Sequence, residues 1–213
     1  MQNYKNTTTR TEQTRMIASG EKERFCLTEL VDELNVSENF RYELLISNSS
    51  IPISYDGILY VRDKLTNRIL NMYLVEVKVR DTNITYDELI FEKLKLTNLR
   101  KERDQFVRHQ LPTLVPEILY IQFTSDGTYL FFIDEIIKEN LLPTITSMSM
   151  NKMTVADNVK KVDKLVYLLP KEIAMKKKFK FNCIEYNNNL LIDIVNKAEY
   201  IQNENIKKIK SLF

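Results

Sequence analysis

Apolar residues along this chain recur with two periods, and the shorter one marks its centre. Leu74-Val75-Glu76-Val77-Lys78-Val79 alternates strictly, so the three valines share one face of a predicted strand while Glu76 and Lys78 share the other. Met72 and Tyr73 extend that strand backwards. The run from Asp56 to Arg62 reads as the strand before it, and Asp63-Lys64-Leu65-Thr66-Asn67-Arg68 supplies the turn residues between them. A hairpin centred on Thr66 puts Asp56 directly opposite Glu76, with Cβ atoms about 5 Å apart. Tyr42 to Ile46 forms an earlier predicted strand, ended by Asn48-Ser49-Ser50 before Pro52.

The longer period marks helices. Residues 19 to 34 read as an amphipathic helix with Ser19 as N-cap and Phe25, Leu27, Leu30, Val31 and Leu34 among its apolar positions. Thr85 is expected to cap a second helix running to about Arg108, with Tyr86, Leu89, Ile90, Leu96, Leu99 and Phe106 as its stripe. Such a helix joins the strand bearing Glu76 to a later strand in a βαβ arrangement. Pro112 and Pro116 break the chain before Glu117 to Phe123, and Ser125-Asp126-Gly127-Thr128 turns it into Tyr129 to Ile133. The predicted order is α-β-β-β-α-β-β. Beyond Asn140 a loop is expected to Met153, then a helix starting near Thr154, a break near Pro170 and an amphipathic helix around Leu190 to Ile209. The division that follows is a flexible tail over 1–15, a core over 16–140 and a mainly helical C-terminal extension over 141–213 packed on the core.

Composition narrows the class. A chain of 213 residues, 44% of them hydrophobic, can build one sizeable core. No stretch of about 18 uninterrupted apolar residues predicts a membrane-spanning helix, and the polar first ten residues lack the apolar core of a signal peptide. Cys26 and Cys183 show no paired metal-ligand spacing, so a reducing, cytoplasmic setting is expected, with Cys26 buried on the first helix. His109 is the only histidine, which excludes a histidine-based nucleophile triad and a two-histidine metal site. Three glycines cannot build a glycine-rich phosphate loop. Net charge is only +2, from 31 basic and 29 acidic residues, so distribution matters more than the sum. Nine lysines between Lys152 and Lys180 face only Asp157, Asp163 and Glu172, a density that suits either phosphate tracking or a solvated face.

The chemistry converges on the hairpin. Two carboxylates directly opposed across strands repel unless something compensates, and a bound cation is the natural compensation. An aspartate on one strand with Glu76-Val77-Lys78 on the next resembles the PD-(D/E)xK nuclease superfamily. Ser19-Gly20-Glu21-Lys22-Glu23, opening the first helix, is similar to the glycine-glutamate start of nuclease-related domains in that superfamily. Tyr55 stands where the superfamily's name has a proline.

The resemblance implies an α/β fold with a restriction-endonuclease-like core, a central mixed β-sheet flanked by helices. It implies Mg2+, with Mn2+ as a substitute, held by Asp56, Glu76 and the carbonyl of Val77. It implies a catalytic set of Asp56, Glu76, Lys78 and a first-helix glutamate; Glu21 is the expected one, with Glu23 and Glu29 as alternatives. Lys93, Lys95 and Arg100 lie on the following helix, where a basic residue in this superfamily can reach the scissile phosphate. The implied activity is phosphodiester hydrolysis, with DNA as the expected partner, no membrane partner, and a homodimer left open. The alternative is a non-catalytic nucleic-acid-binding or assembly module that retains the fold.

Overall fold

A computed structural model of the chain describes residues 10–37, 40–47, 54–80, 86–109, 114–151 and 161–177. The elements are α1 (Arg10–Ser37), β1 (Phe40–Ile46), β2 (Gly57–Asp63), β3 (Ile69–Val79), β4 (Glu88–Glu92), α2 (Lys93–His109), β5 (Glu117–Thr124), β6 (Gly127–Phe132), α3 (Ile133–Lys138), β7 (Thr146–Asn151), β8 (Lys161–Pro170), a 3-10 turn (Lys171–Ile173) and β9 (Met175–Lys177). Six strands form a central sheet in the order β1-β2-β3-β5-β6-β9, in which β3 and β5 run parallel and every other pair is antiparallel. A second, antiparallel sheet has the order β4-β8-β7. The fold is α/β, a central mixed sheet flanked by helices.

Alternation along β3 and β5 splits the interior into two cores. Val75, Val77, Ile121 and Phe123 meet Cys26, Leu27, Leu30, Val31 and Leu34 of α1. Met72, Leu74, Ile118 and Tyr120 meet Leu96 and Leu99 of α2, together with Leu89, Phe91, Tyr167 and Leu169 of the second sheet. Burial on both faces explains why Ile118-Leu119-Tyr120-Ile121-Gln122-Phe123 is almost continuously apolar, as the partner of a parallel pair tends to be. Tyr120 lies between two rings, with centroids 4.5 Å from Phe91 and 5.9 Å from Phe131. Glu76 and Lys78 lie on the face of α2 and the second sheet.

The parallel crossover and the tight hairpin stand as expected: β3 pairs with β5, and Thr124 opposes Gly127 across a two-residue turn. Other expectations are corrected. α1 begins at Arg10, so Ser19 lies inside the helix rather than capping it, and residues 10–15 are helix rather than tail. The helix expected from Thr85 is divided: residues 88–92 are strand β4, and α2 begins at Lys93. Tyr86, Leu89 and Ile90 step helically while Leu89 and Phe91 alternate, and β8 supplies the pairing that decides for strand. The extension expected to be helical is strand in β7, β8 and β9. β8 occupies the stretch expected to be helix before the break at Pro170, because β7 pairs its first half and β4 its second. The helix expected around 190–209, the start near Thr154, Cys183 and residues 1–9 lie outside the described residues.

Candidate functional site

Asp56 occupies the bend just before β2. Its N–H donates to the Val75 carbonyl at 2.8 Å, one residue out of the register in which Gly57 opposes Val75, so the ladder is irregular at this end. The pairs from Gly57 to Val61 have the register of a hairpin centred on Thr66, and Asp56 lies just past them, beside Glu76 and Val77. A second irregularity falls at the far end, where a bulge lies between Val61 and Arg62 and Asn67 takes a left-handed φ of 56°. Asp63 organises the turn by accepting from the Leu65 and Thr66 N–H groups at 3.0 and 2.6 Å.

Asp56 Oδ2 accepts a hydrogen bond from Val77 N–H at 2.7 Å. Within a strand the N–H and C=O of one residue point to the same edge, so the Val77 carbonyl faces the same side as Asp56, beyond the end of β2. Glu76 is 1% exposed, and neither of its carboxylate oxygens has a hydrogen-bond donor among the described residues. Two ammonium groups sit near it instead. Lys95 Nζ lies 2.8 Å from Glu76 Oε1, close enough for an ion pair though not aligned as a hydrogen bond, and Lys78 Nζ lies 4.0 Å from the same oxygen. Burial, then the charge of Asp56, push the Glu76 pKa up to about 7, against the pull of the two lysines.

Lys78 donates to Glu23 Oε1 at 2.8 Å. Glu23 is itself buried, which raises its pKa despite Lys78. The Lys78 pKa is also raised, since Glu23 and Glu76 outweigh the opposing effect of burial. A first-helix glutamate therefore does join this cluster, but it is Glu23. Glu21 instead pairs with Arg24 at 3.3 Å, and Glu29 is exposed. Residues two apart on a helix point about 200° apart, so Glu21 and Glu23 cannot serve the same face. Glu23 lies in register with Leu27, Leu30 and Leu34, at helical steps of four, three and four, and it takes its burial from that stripe. The stripe was the signal that separates the two glutamates. α1 packs on the valine face, yet Glu23 meets Lys78 of the opposite face because β2 stops at Gly57 while β3 continues to Val79.

Of the three basic residues on the helix after the motif, Lys95 reaches the site, Lys93 is half-buried and Arg100 is exposed. Lys95 stands four residues before the buried Leu99, which aims it toward the sheet. The lysine-rich stretch is partly occupied internally: Lys164 pairs with Glu92 at 3.0 Å, and Lys171 pairs with Asp126 at 2.9 Å. His109 ends α2. Among the described residues no helix is long and apolar enough to cross a membrane.

The arrangement can gather positive charge between two carboxylates and hold one ammonium in a fixed position. No protein-family model and no curated protein matches the chain. Among solved structures it is similar to a nuclease from a fusselovirus, at 15% identity and a TM-score of 0.38, over 76% of this chain and 86% of that one. A score so low leaves the site's own geometry to carry the functional reading.

Proposed function

We propose that this protein is a divalent-metal-dependent nuclease of the PD-(D/E)xK type, with DNA as substrate. The observation that supports it is a buried Glu76 beside Asp56 whose carboxylate meets, among the described residues, only the ammonium groups of Lys95 at 2.8 Å and Lys78 at 4.0 Å. Burying a carboxylate without donors costs several kcal/mol in real proteins unless a charge compensates. Lys95 provides part of that compensation from the position a cation would take.

The donor set fits a hard cation of low protein coordination. Among the described residues no three metal-ligating side chains converge. Mg2+ asks for less, commonly one or two carboxylates with water and substrate phosphate completing an octahedron. Asp56 and Glu76 would hold it, with the Val77 carbonyl as a third oxygen; Mn2+ would suit the same set. When bound, such an ion lowers the pKa of a coordinated water and neutralises charge at the scissile phosphate. Lys78 places an ammonium on the same face, held by Glu23, where it can stabilise the charge that develops on the phosphate. Lys95 is free to turn from Glu76 to a phosphate oxygen once another cation neutralises the carboxylate. Glu23 acts through Lys78, as a positioning residue.

Purified protein incubated with labelled DNA and RNA in single-stranded, duplex and branched forms should cut DNA with Mg2+ or Mn2+ and not with EDTA. Glu76→Ala and Lys78→Ala should each lower the rate roughly 100-fold or more, with unchanged circular dichroism. Cleavage at the wild-type rate by either variant, or cleavage that survives EDTA, rules the assignment out.

A further inference from the structure

A cleft of about 750 Å3 opens beside the carboxylate-lysine cluster. It is lined by Arg80 and Gln122 from the central sheet, by Tyr86, Ile90, Met148 and Leu168 around the second sheet, and by the acids Asp87, Glu88 and Glu172. Arg80 and Ile90 also line the small pocket that contains Glu76, Lys78 and Lys95, so the two spaces share a wall. Resting on the nuclease reading, we propose that this cleft receives one unstacked nucleobase of the nucleic-acid strand, next to the phosphate held at the cluster.

Four properties support a base over other occupants. The volume lies within the roughly 300–1,000 Å3 that suits a compact organic ligand, and it exceeds what a bare phosphate needs. Its apolar wall of Ile90, Met148 and Leu168 suits a flat ring, and Tyr86, 53% exposed, offers an aromatic face at the mouth. Gln122 is 3% exposed, and its Oε1 lies 2.7 Å from the Tyr120 hydroxyl, which fixes the side chain as an amide able to address a base edge. The three acids repel a phosphate backbone, so the charged part of the strand stays outside. Arg80 follows Glu76 and Lys78 at the same alternating position, and among the described residues no carboxylate pairs with it. Its guanidinium therefore stands where a phosphate linking the cleft to the cluster would pass.

The test compares binding of two fluorescent oligonucleotides in Ca2+, one with all its bases and one built wholly of abasic residues, to wild type, Met148→Trp and Tyr86→Ala. Met148→Trp fills the cleft and Tyr86→Ala strips its mouth; neither residue belongs to the catalytic cluster, and equal melting temperatures confirm folding. Wild type should prefer the oligonucleotide with bases about tenfold, as base stacking on an aromatic commonly gives. Both variants should lose most of that preference. No preference in wild type, or a preference that both variants keep, overturns the proposal. Cleavage in Mg2+ is read in parallel: base preference without cleavage sinks the nuclease reading alone, and cleavage without base preference sinks the cleft alone.

Discussion

Single residues here are governed by where burial puts a charge. Glu76 has a folded-state pKa near 7 against an ordinary value of 4.5. The fold thus favours its protonated form: that contribution to stability is complete below about pH 4.5 and is lost as pH rises through about 7. Glu23, also raised, acts in the same direction. Metal-free protein in EDTA should therefore lose stability between pH 5 and 8, on the order of 3 kcal/mol from Glu76. Glu76→Gln should flatten that slope, and Mg2+ added to wild type should restore stability at pH 8. Urea midpoints measured across this range decide it; parallel slopes for wild type and variant would contradict the burial argument. Glu23 was legible to a reading that weighted its place in the Leu27-Leu30-Leu34 stripe above its neighbour's adjacency to Gly20. Lys95 was visible only as one of three cations on a helix, because its partner comes from another element.

Elements decide whether those residues meet. β2 and β3 bring Asp56 beside Glu76: the ladder from Gly57 to Val61 fixes the register, and Asp56, just past its end, is held by bonds to the Val75 carbonyl and the Val77 N–H. Gly57 is where that ladder runs closest to its surroundings. A Cβ there would lie 3.1 Å from Leu44 Cδ1, 3.2 Å from the Leu45 carbonyl oxygen and 3.4 Å from Leu27 Cδ2. The carbonyl belongs to β1 and cannot swing aside. Gly57→Ala should cost about 1–3 kcal/mol, as overpacking does. It should also tilt Asp56 away from Val77, so cleavage under conditions where the variant is fully folded should fall by more than tenfold. Activity equal to wild type would show that the close approach is not what aims Asp56. The hairpin was readable because turn residues and strict alternation lie next to each other in the chain. β4 was not, since its contiguous apolar residues Leu89, Ile90 and Phe91 fit a helical stripe with Tyr86 as readily as a short strand until β8 arrives to pair with them.

At the scale of the molecule, two sheets share one interior through Phe91, Tyr120 and Tyr167. Phe91 is 1% exposed and stacks on Tyr120, joining the second sheet to the strand beside Glu76. Phe91→Ala should cost about 3–5 kcal/mol, and wild type should unfold in a single transition by fluorescence and circular dichroism. Two separated transitions would mean that the sheets fold independently. The lysine-rich stretch belongs at this scale too. Read along the chain it is a run of charge, whereas in the fold Lys164 and Lys171 are tied to Glu92 and Asp126 on other elements. What the sequence determined by itself was local: the alternation that sends valines one way and Glu76 with Lys78 the other, the turn between β2 and β3, the tight turn at Ser125-Asp126 and the parallel crossover. Tertiary structure alone decided that Lys95 meets Glu76 and that β8 is a strand shared between two neighbours. The reason is physical: period and turn chemistry act between residues close in the chain, while pairing and burial depend on partners that only the folded chain brings near.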